Sequence, residues 1–116
     1  MELSKVKEVL RREFKGKAIT NGLCEYKTDK GLKCAIGCFI PEGHEGALSL
    51  GGVKELLREH VDLKEYMPHE NVELLRDWQY FHDRLNKLLT VDKQRYFLYK
   101  EFLRLRRIYA KRDRVA

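Results

Sequence analysis

Cys24, Cys34, Cys38 and His44 are four side chains of metal-binding type close in sequence, spaced C-x9-C-x3-C-x5-H. Three thiolates and an imidazole make a zinc set, since zinc takes four tetrahedral nitrogen or sulfur ligands. The spacing differs from a zinc knuckle, in which C-x2-C pairs fix the chelate angle. Three is also an odd number for a disulfide framework. The preferred reading is thiols buried as small hydrophobes, with zinc as the alternative. Thiol catalysis would require a lowered pKa and a neighbouring base. Cys34 and Cys38 lie in a strand-like run, and no Asp or Asn is spaced to orient His44.

The remaining histidines, His60, His69 and His82, are scattered. His82 borders the apolar sector of its helix and reads as a core histidine. Asp83 follows it directly and should point about 100° away, which argues against a dyad. Neither G-x4-G-K-[ST] nor G-x-G-x-x-G occurs, which leaves no case for nucleotide binding. No catalytic residue is assigned, and an enzyme is not expected.

The net charge of +6 is carried by the last 25 residues, Asp92 to Ala116, which hold nine Lys/Arg and three Asp/Glu. At helical spacing, Lys93, Lys100, Arg104, Arg107, Lys111 and Arg114 share one stripe. Leu98, Phe102, Leu105 and Tyr109 lie nearly opposite. This pattern predicts a helix docked by its apolar side, presenting a positive ridge with Tyr96 and Phe97 alongside. An acidic protein surface is the favoured partner, with the aromatics as anchors. A nucleic-acid phosphate backbone is the alternative, although no DNA-reading motif accompanies the ridge. Tyr96, Tyr99 and Leu103 form a third strip, through which a homodimer could form.

The elements that would position these residues can be read from periodicity. Ser4 is expected to cap a first helix with Val6, Leu10 and Phe14 on one face. Two β-like runs follow, Leu23 to Thr28 and Leu32 to Ile40, joined by Asp29-Lys30-Gly31 as in a hairpin. That register puts Cys24, Tyr26, Cys34, Ile36 and Cys38 on one face. Pro41 to Gly52, with four glycines, reads as a mobile loop. A short helix is expected over Val53 to His60, a further turn over Val61 to Met67, and a strong helix over Glu70 to Leu89, where Asp83 can pair with Lys87. Thr90 or Asp92 would cap the basic helix, which would pack antiparallel on its predecessor. The expected fold class is α+β: a mainly helical single domain, residues 1–116, with one β-hairpin and a C-terminal antiparallel helix pair.

The densest motif is Gly31-Leu32-Lys33-Cys34-Ala35-Ile36-Gly37-Cys38-Phe39-Ile40-Pro41, preceded by Cys24-Glu25-Tyr26. It resembles a pattern shared by small uncharacterised proteins of tailed bacteriophages and prophages: C-x-Y, a turn, then G-x-K-C-A-x-G-C-x-I-P. The resemblance extends more loosely to the leucine-rich stretch ending at His82, and leaves the basic tail outside. It implies a compact α+β module of phage origin and no established activity. The expectation is a non-enzymatic accessory protein that binds and inhibits or redirects a host macromolecule. No run approaches the roughly 18 apolar residues of a membrane span, and the N-terminus lacks a signal-peptide core, so a cytoplasmic protein with no membrane partner is expected.

Overall fold

A computed structural model describes residues 1–20 and 23–115, except the side chains of Thr20, Leu23, Cys24, Arg114 and Val115. It has four α-helices: α1 (Leu3–Glu13), α2 (Val53–Glu59), α3 (Val72–Asp83) and α4 (Val91–Val115). Three 3-10 turns, Gly37–Phe39, Glu45–Leu48 and Val61–Tyr66, supplement them. The molecule is mainly helical, which corrects the α+β expectation. Extended pairing among the described residues is limited to Ile19–Thr20 against Leu23–Cys24 and one isolated bridge, Lys27 to Lys33. That is too little for an α+β architecture, and of the expected hairpin of Leu23–Thr28 with Leu32–Ile40 no more than the bridge beside its turn forms among the described residues.

Burial explains the failure of the hairpin. A half-buried strand alternates inside and outside. Here every residue from Cys34 to Ile40 is buried, on all sides of the chain. The backbone instead curls: Cys38 N–H donates to Cys34 O at 3.1 Å, and Phe39 N–H to Ile36 O at 2.9 Å. Gly37 permits the curl, because a Cβ there would lie 1.9 Å from the carbonyl oxygen of Tyr26.

The helices form for the reasons their periodicity predicts, with shifted ends. Val6, Val9 and Leu10 of α1 are buried, and Phe14 follows them into the core. Glu2 occupies the N-cap and Ser4 lies within the helix, so Ser4 is not the cap. In α3, Asn71 Oδ1 accepts from the N–H groups of Glu73 and Leu74, and the helix stops at Asp83. Leu85 still reaches the core, but Leu88 is exposed on the turn beyond. The basic helix starts where Thr90 Oγ1 accepts from Lys93 N–H at 3.2 Å. α3 and α4 pack back to back: Trp78 is fully buried, its ring centroid 4.9 Å from that of Phe102. Its Nε1–H donates to Leu98 O at 2.8 Å. No helix among the described residues is long and apolar enough to cross a membrane.

Gly37→Ala is expected to destabilise the protein by about 3 kcal/mol or more, because the new methyl must displace backbone. Gly31→Ala, at φ +83° with open space around it, should cost only about 1 kcal/mol of left-handed strain. Urea unfolding of the two variants checks this; similar losses would show that the Tyr26 contact is not the constraint.

Candidate functional site: the outer face of helix α4

At 1.5 Å per residue, α4 is about 37 Å long, and its two long faces are sorted by chemistry. Inward, Leu98, Phe102, Leu105 and Tyr109 are buried, as their spacing predicts, together with Gln94. Outward, Lys93, Lys100, Arg104, Arg107 and Lys111 are all exposed. The side chain of Arg114 lies outside the described residues. Tyr96 and Phe97 are 52% and 45% exposed and meet edge to face, with ring centroids 5.6 Å apart. Lys100 Nζ sits 6.0 Å from the Tyr96 ring centroid, at the limit of a cation–π contact.

The cations on this helix are not equivalent. Arg104 Nε and Nη2 each donate to Glu101 at 2.7 Å, a bidentate pair that holds the guanidinium's pKa above its usual value. Arg104 thus stays charged, with its charge offset by a carboxylate of its own helix. Arg95 faces inward, donating to Leu10 O at 3.1 Å and Phe14 O at 2.6 Å, and so ties α4 to α1. Lys93, Lys100, Arg107 and Lys111 make no ion pair among the described residues. The expected third strip is divided: Tyr96 is exposed, while Tyr99 and Leu103 are half-buried. Tyr99 packs against the core beneath Lys7, whose Nζ is 5.6 Å from its ring centroid.

Of the alternative zinc set, Cys34, Cys38 and His44 form no common metal group among the described residues. Cys34 and Cys38 are free, buried thiols; the side chain of Cys24 lies outside the described residues. Burial pushes the Cys34 thiol up to about 12 and raises that of Cys38 as well. Cys34 Sγ accepts from Gly37 N–H at 3.2 Å and so serves the turn. His44 is engaged elsewhere: its Nδ1 accepts from Gly46 N–H at 2.9 Å, and its Nε2 lies 2.7 Å from Asp62 Oδ2. The hydrogen bond from His44 holds the Asp62 carboxyl below its usual value.

His82 and Asp83 also depart from expectation. Despite their adjacency, His82 Nδ1 is 3.0 Å from Asp83 Oδ1, because α3 ends there and the carboxylate turns back. Asp83 also accepts from Gln79 Nε2 at 3.1 Å. His82 Nε2 accepts from Ala18 N–H at 3.3 Å, so both ring nitrogens serve structure and neither is free as a base. Beside this network lies an open groove of about 610 Å³, bordered by Leu48, Leu50 and Tyr80. Leu50 is fully exposed and Leu48 nearly so. Sequence reasoning missed this groove, although two leucines in a glycine-rich loop were the available signal.

No family model, curated protein or solved structure matches the chain.

Cys34 and Cys38 should resist iodoacetamide in the folded protein at pH 8, where the raised pKa values leave almost no thiolate, and react once urea unfolds it. Peptide mass spectrometry reads each cysteine separately. Rapid native labelling of either one would contradict its burial.

Proposed function

We propose that the chain is a non-enzymatic binding protein that docks the outer face of α4 onto an acidic protein surface. The motif resemblance suggests the setting: an accessory protein of a phage or prophage that inhibits or redirects a host factor. One observation carries the reading. Lys93 and Lys100 flank an exposed Tyr96–Phe97 pair, with Arg107 and Lys111 further along the ridge and none of the four ion-paired among the described residues, on a helix whose opposite face is committed to the core. Aromatic anchors surrounded by charge match the anatomy of a protein interface.

Magnitudes favour protein over nucleic acid. With Arg104 held by Glu101 and Arg95 turned inward, the described ridge keeps Lys93, Lys100, Arg107 and Lys111 for phosphate contacts, while Arg106 is half-buried and Arg112 lies over the Tyr109 ring, 4.8 Å from its centroid. Four contacts correspond to a log–log salt slope of about −3.6 on duplex DNA, against six to ten contacts for a strongly electrostatic binder. Two half-exposed rings would gain more from burial against an apolar spot than from a solvated phosphate backbone.

The test compares pull-downs from nuclease-treated bacterial lysate by the intact chain and two variants. Lys93→Glu/Arg107→Glu/Lys111→Glu should weaken retention of the bound protein at least 100-fold, and Tyr96→Ala/Phe97→Ala about 10- to 100-fold. Both should unfold at the parent's temperature, since the altered side chains are exposed. If nuclease removes everything bound, the protein-partner reading fails. A duplex-DNA titration with a slope near −3.6 would then identify the alternative. Light scattering that shows a dimer lost in Tyr96→Ala/Phe97→Ala would assign the face to a second copy.

A further inference from the structure

We infer that His44, His60 and Asp62 form a binding site for a divalent transition-metal ion of zinc's class, and that loading this site opens the turn at Gly46. The three residues come from separate elements. His44 precedes the 3-10 turn Glu45–Leu48, His60 ends α2, and Asp62 lies in the turn Val61–Tyr66. One donor atom from each lies within 4.8 Å of the others. The rings of His44 and His60 meet edge to face with centroids 5.3 Å apart.

Zinc bound at about 2.0–2.1 Å holds tetrahedral donors roughly 3.3 Å apart, so closing the site needs shifts of about 1.5 Å or less. Side-chain rotation supplies that at a surface. Both histidines are partly exposed and Asp62 is exposed, leaving water access to the remaining coordination position. Two imidazoles with one carboxylate select for zinc and its neighbours over magnesium or calcium, which take oxygen ligands.

The coupling follows from proton placement. A neutral imidazole carries one proton. With Nδ1 accepting from Gly46 N–H, that proton sits on Nε2 and is donated to Asp62. A metal on Nε2 moves the proton to Nδ1, where it confronts the N–H of Gly46. Two donors cannot bond, so the cap of the Glu45–Leu48 turn must release. A metal-bound histidine normally has an acceptor behind its other nitrogen. Losing one neutral hydrogen bond lowers affinity roughly fivefold relative to such a site. The released turn belongs to the loop that carries exposed Leu48 and Leu50, so metal occupancy would reshape one wall of the groove.

Zinc is titrated calorimetrically into the untagged, chelator-treated 116-residue chain, with Gly46 followed in amide spectra. One equivalent should bind. His60→Ala and Asp62→Asn should each weaken binding tenfold or more, His69→Ala should leave it unchanged, and the Gly46 amide should shift and exchange faster on loading. Unchanged melting temperatures confirm that the variants fold. Cobalt substituted for zinc should give weak visible bands without thiolate charge transfer in the near ultraviolet. Binding that His60→Ala does not weaken, a thiolate band, or the absence of zinc binding up to 100-fold excess would each overturn the site. A Gly46 amide that stays protected in the loaded protein would overturn the coupling.

Discussion

From Phe14 to Gly52 the described backbone contains no α-helix and almost no strand pairing, yet much of it is buried. Each buried amide left without a partner costs about 1–3 kcal/mol, so this segment can fold only if other groups satisfy it. Side chains from the helices do so. Gln79 Oε1 accepts from Ile36 N–H at 3.1 Å, His82 Nε2 from Ala18 N–H, and Gln94 Oε1 from Lys17 N–H at 3.0 Å. Lys17 Nζ returns a bond to Leu85 O at 2.8 Å, and Lys27 Nζ donates to Ile40 O at 2.9 Å. Among the described residues no buried side-chain nitrogen or oxygen lacks a partner. These side-chain-to-backbone bonds take the place of a β-ladder.

The positions of those polar side chains explain how the helices are arranged. Gln79, His82 and Asp83 cluster at the end of α3, joined through the Asp83 carboxylate, so one helix end holds two separate stretches of irregular chain. Trp78, immediately before them in sequence and fully buried, supplies the apolar contact with Phe39 on one side and Phe102 on the other. Helix α4 must then lie along α3. Its Gln94 and Arg95 are drawn inward to serve the residues around Lys17 and the end of α1. What remains pointing outward is the set of cations and aromatics that structure does not consume. The proposed docking face is thus the residue of a structural assignment.

That division also ranks the charges. Counted from the chain, the terminal helix offers a dense positive surface. Once Arg95 is spent on backbone carbonyls and Arg104 on Glu101, the ridge is sparser and its aromatic pair weighs more. On another side of the molecule, His44, removed from the thiols, meets His60 and Asp62 through the packing of the loop against α2 and the turn after it.

Periodicity made the helices legible. Val6, Leu10 and Phe14, then Leu74, Leu75 and Trp78, then Leu98, Phe102, Leu105 and Tyr109 all lie where a 3.6-residue repeat puts them, because amphipathic burial is a local property of the chain. The exposed basic stripe follows from the same repeat. The hairpin was misread because Cys34 to Ile40 is apolar throughout, and continuous burial suits a buried curl as well as a strand. Which cations stay free, where His44 goes, and why Asp83 faces His82 depend on partners as far apart in sequence as Arg95 and Leu10. Side-chain pairing of that range is set by how the elements pack, and no spacing within the chain encodes it.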